Sequence, residues 1–379
     1  MYLRQARVRH PAASWRVLAC TGLLLSGCAS PDGKVSLSPL ASTAEVTQTR
    51  RLLAVTTRTP ASDEGKGELF SAGRGDGLHY VSLNLSMPPD RPAGAVPTQA
   101  ENPDPRKHIA LIAAENLDQR NFGSLLKSAP FAKRRVLIFI HGFNTSFDEA
   151  VVRLAQIVED THFQGVPILF SWPSGGEVTD YGYDKDSANF SRDGLEKLLI
   201  AIAREPNVEG IDIFAHSMGN WLTLETLRQL AIANDQRTLK RLGTIVLAEP
   251  DVDMDVFTTQ LARLGTLKSH ISLYASKDDR ALELSRRLFG GKIRAGENTD
   301  LEQFRRLGIT AHDLSDVAGG IGRNHDKAFG DETTLAEIGR LIGKGTPAYA
   351  SGPDASTAPR SAASQSARAL EPGTAEAKP

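Results

Sequence analysis

Ser217 is the residue whose surroundings point most directly to covalent chemistry. It stands in Ala215-His216-Ser217-Met218-Gly219, a near match to Gly-x-Ser-x-Gly, the pattern of a tight strand-to-helix turn that presents a serine hydroxyl. Small residues flank such a serine because the strand and the departing helix approach closely; here Ala215 replaces the first glycine by one methyl group. A serine hydroxyl is a weak nucleophile and needs a base within hydrogen-bond reach, oriented in turn by an acid. In the chain order serine, acid, histidine, three of the nine histidines lie beyond Ser217: His270, His312 and His325. His270 precedes the candidate acid. His312 falls in a strand-like apolar stretch, where an inward histidine is structural. His325 lies in the polar loop Gly322-Arg323-Asn324-His325-Asp326 and is the better general base. For the acid, Asp278 and Asp279 follow an apolar run, and Asp279 is preferred; Glu249, Asp251 and Asp253 are further candidates, although that acidic stretch reads better as a helix start.

Elements must bring these residues together. Short apolar runs alternate with helical patterns, which predicts βα units and a mostly parallel sheet. The clearest strands are Val136-Leu137-Ile138-Phe139-Ile140, Ile168-Leu169-Phe170, Ile211-Asp212-Ile213-Phe214, Thr244-Ile245-Val246-Leu247-Ala248 and Ile271-Ser272-Leu273-Tyr274-Ala275. Amphipathic helices are expected over 147–159, 193–204, 218–233, 280–288 and 333–342. Ser217 thus follows one strand and opens a helix, while Asp279 follows another. Residues 52–105 are harder to read. Tyr80-Val81-Ser82-Leu83-Asn84-Leu85-Ser86 alternates as a half-exposed strand, and the segment is expected to be an N-terminal extension packing on the sheet.

Taken together, Phe139-Ile140-His141-Gly142-Phe143-Asn144, Phe170-Ser171-Trp172-Pro173-Ser174, His216-Ser217-Met218-Gly219 and Tyr274-Ala275-Ser276 leading to Asp279-Arg280-Ala281-Leu282 resemble the α/β-hydrolase superfamily, and more closely a bacterial esterase/lipase-like subgroup of unknown function. The resemblance covers residues 53–343. It implies an α/β-hydrolase fold, with a mostly parallel central sheet, helices on both faces and the N-terminal extension. It also implies a serine hydrolase with Ser217 as nucleophile, Asp279 as acid and His325 as base. The Phe143 and Met218 backbone amides would form the oxyanion hole, and His141 would order the loop rather than move protons. Asp279, three residues after the small Ser276, is similar to the Gly-x-x-Asp turn of these enzymes. Trp172, Tyr183 and Asp184 lie where a strand-end loop would line a pocket or pack at the surface.

Arg4, Arg7, Arg9 and Arg16 precede an apolar run at 17–25 that is short for a membrane span and matches a signal h-region. It ends in Leu25-Ser26-Gly27-Cys28, which resembles a bacterial lipobox. Residues 1–27 therefore read as a lipoprotein signal peptide, with Cys28 lipid-modified and the protein anchored in the cell envelope, on the outer-membrane side if Ala29 follows the enterobacterial pattern. Residues 28–46 read as a flexible tether, 47–345 as the hydrolase domain with its extension, and 346–379 as a disordered Ala/Ser/Pro-rich tail.

Composition narrows the alternatives. Lys plus Arg number 44 against 45 Asp plus Glu, so no basic surplus draws the chain to nucleic acid. Cys20 and Cys28 are the two cysteines, which excludes a disulfide framework, an iron–sulfur cluster and a cysteine-based zinc site. The histidines are scattered without His-Glu-x-x-His, and Gly320-Ile321-Gly322 and Gly343-Lys344 lack the context of a nucleotide site, so neither metal nor cofactor is expected. Gly73-Arg74-Gly75-Asp76-Gly77 reads as a mobile loop and Lys133-Arg134-Arg135 as a solvated edge. The expected partner is a small-molecule or lipid ester. Acyl transfer to an alcohol by the same triad, and a non-catalytic envelope scaffold, are the competing functions.

Overall fold

The computed structural model describes residues 37, 39–62, 68–95, 102–128, 134–318, 324–343 and 368–370; Cys28, the expected signal peptide and most of the expected tail lie outside them. In chain order the strands are β1 (Gln48–Pro60), β2 (Phe70–Met87), β3 (Ala110–Leu117), β4 (Arg134–Ile140), β5 (Val166–Ser171), β6 (Val208–His216), β7 (Leu242–Ala248), β8 (Ile271–Ala275), β9 (Thr310–Asp313) and β10 (Arg368–Leu370). The helices are α1 (Gln119–Lys127), α2 (Phe147–Asp160), α3 (Tyr181–Arg204), α4 (Met218–Ile232), α5 (Gln236–Leu239), α6 (Met254–Leu261), α7 (Arg280–Phe289), α8 (Leu301–Leu307), α9 (Lys327–Gly330) and α10 (Glu332–Leu341).

The strands form one sheet in the order β10-β9-β8-β7-β6-β4-β5-β1-β2-β3. From β1 to β9 across the middle every pairing is parallel, while β2, β3 and β10 add antiparallel edges. Chain progress reverses at β4: β5 lies on one side of it and β6 on the other. In open α/β sheets such a switch opens a crevice at the carboxyl ends of the strands, where ligands bind. Ser217 follows β6 and His141 follows β4, so both flank this crevice.

Strand periodicity sends alternate residues to opposite faces. On β4, Val136, Ile138 and Ile140 join one buried cluster with Leu195, Leu198, Leu199 and Ile202 of α3 and with α4. Leu137 and Phe139 join the other, with α2, Phe329 and Ile338. Both faces are covered by helices, which is why the parallel strands read as continuous apolar runs. α2 begins with a reciprocal capping box between Ser146 and Glu149, satisfying two otherwise orphaned amides.

The N-terminal segment is an extension of the sheet, which it joins edge-on: β1 pairs parallel with β5, and β2 then runs back antiparallel. The 80–86 stretch is mostly buried on both faces, not half-exposed, because β1 and β3 flank it and helices cover it. Arg74 and Asp76, expected in a mobile loop, lie within β2. Arg135 is no solvated edge either: its guanidinium forms a fork with buried Asp212, at 2.9 and 2.6 Å. The chain is already seated at Leu37, which is buried and donates its amide to Asp148 Oδ2 at 2.9 Å. At the other end, Arg368–Leu370 pairs with β9.

Candidate active site

Ser217 sits between β6 and α4 with φ 50° and ψ −120°, a conformation that costs a non-glycine residue about 1–3 kcal/mol. Neighbouring bonds hold it there. Its amide donates to Ala248 O at 3.0 Å, and the buried Asn220 side chain donates both to Ser217 O and to Ala248 O, at 3.1 and 2.8 Å. Gly219 is required by close approach: a Cβ there would lie 2.4 Å from His141 O and 2.6 Å from Ile140 O. Ala215 is fully buried, so its methyl is accommodated within the strand.

The three residues expected to act together do meet. His325 Nε2 lies 2.8 Å from Ser217 Oγ, and His325 Nδ1 lies 2.6 Å from Asp279 Oδ2. Asp279 caps α7: its Oδ1 accepts the Ala281 and Leu282 amides at 3.1 and 3.0 Å, leaving Oδ2 for the imidazole. Asp278 faces elsewhere. It accepts Lys327 Nζ at 2.7 Å and Asn324 Nδ2 at 3.0 Å, as well as the Ser276 hydroxyl. Against the cost of partial burial, the bonds from Lys327 and Ser276 hold the Asp278 carboxyl below the usual range. Asn324 and Lys327 bracket His325, so Asp278 braces the loop that carries the base. Lys327 is itself buried and also donates to Leu314 O and Ser315 O at 3.1 Å each.

Two more groups crowd the base. His216 Nε2 is 3.1 Å from His325 O, a carbonyl that only accepts, so this nitrogen carries hydrogen. Burial and the neighbouring His325 charge push His216 down to about 4, with Asp326 opposing, and it stays neutral at neutral pH. Glu249 is fully buried with φ 47°. Its Oε1 accepts the Lys327 amide at 2.9 Å, whereas Oε2 has no hydrogen-bond partner among the described residues and lies 3.4 Å from His216 Nε2. Burial raises this carboxyl well above the usual range. His216, Glu249 and His325 bring possible metal-ligating atoms within 4.8 Å of one another, but both His325 nitrogens are already engaged. Asp251 instead accepts Tyr181 Oη at 2.9 Å and Ser285 Oγ at 3.1 Å, and Asp253 caps α6.

His141, at the end of β4, is buried, and both of its nitrogens are committed: Nε2 accepts the Trp172 amide at 3.2 Å, and Nδ1 lies 2.9 Å from Gly142 O. Trp172 stacks on it at 4.9 Å and bonds its carbonyl at 2.9 Å. Burial, with the nearby Arg58 charge, pushes His141 well below the ordinary histidine range. The loop after it presses on the nucleophile, since a Cβ at Gly142 would lie 2.9 Å from Ser217 Cβ. Met218 opens α4, where an amide has no acceptor inside its helix, and the Phe143 amide makes no backbone hydrogen bond among the described residues. Among the other histidines, His312 stacks on Tyr274 at 4.4 Å and pairs with Glu337, and His270 bonds backbone carbonyls of β7. Lys327, Asn324 and Arg58 were not singled out from sequence. The available signal was a basic residue at the end of the buried strand pattern Val55-Thr56-Thr57-Arg58 and another two positions after His325.

Residues 114–344 match the model of the family described as "Alpha/beta hydrolase of unknown function (DUF900)". The chain belongs to this family. A curated relative, the uncharacterized protein alr1448 of Nostoc sp., is 26% identical over 153 residues, covering 34% of this chain and 39% of that protein; the match thus spans about two fifths of the relative's length. Among solved structures, lipase B of Aspergillus fumigatus aligns with a TM-score of 0.38 and 12% identity over 58% of this chain and 56% of that one. An esterase of Rhizomucor miehei aligns with a TM-score of 0.34 and 11% identity over 78% of this chain and 83% of that one. The family match, with the sheet described above, makes the protein an α/β hydrolase.

Proposed function

We propose that the protein is a serine hydrolase that cleaves carboxyl esters through an acyl-enzyme on Ser217. The observation that carries this reading is the continuous hydrogen-bonded line from Ser217 Oγ through His325 to Asp279, at 2.8 and 2.6 Å. His325 Nε2 takes the Ser217 proton as Oγ attacks the ester carbonyl, and Asp279 stabilises the imidazolium that forms. The Phe143 and Met218 amides face the developing oxyanion. Collapse expels the alcohol, which leaves with the proton from His325. Water, deprotonated by the same imidazole, then releases the acid. An alcohol in place of water would give acyl transfer by the same groups, and products formed with added alcohol distinguish the two. Anchoring through lipidated Cys28 on the periplasmic side of the outer membrane belongs to the same proposal; a Cys28→Ser chain that still incorporates labelled palmitate removes it.

The test is a fluorophosphonate probe on the wild type, Ser217→Ala and His325→Ala, with the label located by peptide mass. Labelling at Ser217 that both substitutions abolish is expected. A folded wild type that takes no label overturns the reading.

A further inference from the structure

We propose that Asp184 is a positioning residue for the oxyanion hole, acting with Arg58 as a buried clamp on the loop that carries the Phe143 amide. The inference rests on the serine-hydrolase reading and adds to it the groups that set the donor's direction.

Asp184 lies in the first turn of α3 and is fully buried. Its Oδ2 accepts the Asn144 amide at 3.2 Å and the Ser174 hydroxyl, and its Oδ1 accepts the Gly175 amide at 2.6 Å. Ser174 Oγ in turn accepts the Thr145 amide at 3.1 Å. One carboxylate therefore fixes two successive amides immediately after Phe143, one directly and one through a hydroxyl. Asn144 is held at φ 53°, so the loop turns sharply at the residue next to the proposed donor. Arg58, from β1, grips the same loop from the other side: Nη2 donates to Thr145 O at 2.7 Å, Nη1 to Ser174 O at 3.2 Å and Nε to Ser171 Oγ at 2.9 Å. Every bond runs between buried or part-buried groups.

A buried carboxylate and guanidinium are costly to desolvate, and apolar side chains would fill the same space at less cost. A surface loop needs only one or two bonds to close, whereas this one has its peptide groups fixed on both sides of the turn. Oxyanion stabilisation requires that density of restraint, because the donor contributes fully only when it is aimed in advance at the charge that develops. Asp184 and Arg58 touch no reacting atom; they act through the backbone of 143–145.

The test measures ester turnover, affinity for an aryl trifluoromethyl ketone, which forms a tetrahedral oxyanion adduct on serine, and melting temperature. It compares the wild type, Asp184→Ala, Asp184→Asn, Ser174→Ala and Asp186→Ala, the last removing an exposed charge from the same helix. Asp184→Ala is expected to lower kcat by about 100- to 1,000-fold, the loss typical of one oxyanion donor, with KM within about threefold. Ketone affinity should fall in step with kcat/KM, and the pH midpoint of kcat/KM should stay in place because His325 and Asp279 are untouched. Asp184→Asn keeps one acceptor oxygen and should recover part of the loss, Ser174→Ala should lower kcat and ketone affinity together, and Asp186→Ala should match the wild type. A folded Asp184→Ala with unchanged kcat, or one affected only in KM, overturns the clamp. If Asp184→Ala does not fold, Ser174→Ala decides alone, and unchanged turnover and ketone affinity in it overturn the clamp. A wild type with neither turnover nor ketone binding instead removes the serine-hydrolase reading, and the clamp with it.

Discussion

His325 can take a proton only when neutral, so its surroundings set the pH range of activity. Burial disfavours the imidazolium, but Asp279 at 2.6 Å, with Asp326 nearby, outweighs that cost and raises His325 above the ordinary value of 6.5. A base loses activity as pH falls through its pKa. The acid limb of kcat/KM should therefore have its midpoint above 6.5, with activity still climbing through neutral pH. Asp279→Asn removes the strongest opposing charge and leaves the imidazole in the wrong tautomer. It should move the midpoint down and reduce kcat on the order of 10⁴-fold. A pH–rate profile of the two proteins checks both, and a wild-type midpoint at or below 6.5 contradicts the electrostatic account.

At the scale of elements, the elbow depends on how closely α4 passes β4. Gly219→Ala places a methyl 2.4 Å from His141 O and 2.6 Å from Ile140 O, both backbone atoms at the foot of the oxyanion loop. Neither atom can swing aside as a side chain would, so helix and strand must separate. The expected cost is about 1–3 kcal/mol of stability, as for other overpacked contacts. Fluorophosphonate labelling should slow at the same time; urea unfolding and labelling rates report the two effects. Unchanged stability would mean that the helix has room to shift. That turn was legible in the sequence because strand, turn and helix are consecutive and each carries its own signal. β8 begins and ends where its apolar run does, and α7 begins directly after its capping aspartate. α3 was legible only in its second half. Its first turns, Tyr181-Gly182-Tyr183-Asp184-Lys185-Asp186-Ser187, have poor helix propensity and no apolar stripe. They are helical because tertiary polar bonds hold them: Arg74 Nε donates to Ser187 Oγ at 3.0 Å, and Ser191 meets Thr57 at 2.7 Å. The preference for Asp279 over Asp278 rests in the sequence on its spacing after Ser276 alone; the fold adds that Asp279 faces His325 while Asp278 faces Lys327.

For the whole molecule, the family match begins at residue 114, yet the sheet that supports the site does not. β1 pairs with β5 over Leu53–Thr56 and buries Leu52, Leu53, Ala54 and Val55, two toward each face. β2 adds Val81, Leu83, Leu85 and Met87, all at most 2% exposed. Each large apolar side chain buried this way is worth about 1.5–3 kcal/mol, so losing both strands removes about 10–20 kcal/mol of burial, comparable with the 5–15 kcal/mol by which a domain is usually stable. It also leaves the β5 edge unpaired, a template for association with other chains, and takes Arg58 away from the oxyanion loop. A fragment of residues 114–344 should therefore aggregate or fail to fold, while residues 37–344, which keep Leu37 on Asp148, should melt cooperatively and label at Ser217. Size-exclusion chromatography and thermal unfolding of the two fragments decide this. A monomeric 114–344 fragment melting within a few degrees of the longer one would show that the N-terminal strands are an appendage; aggregation of that fragment alone would make them part of the hydrolase core.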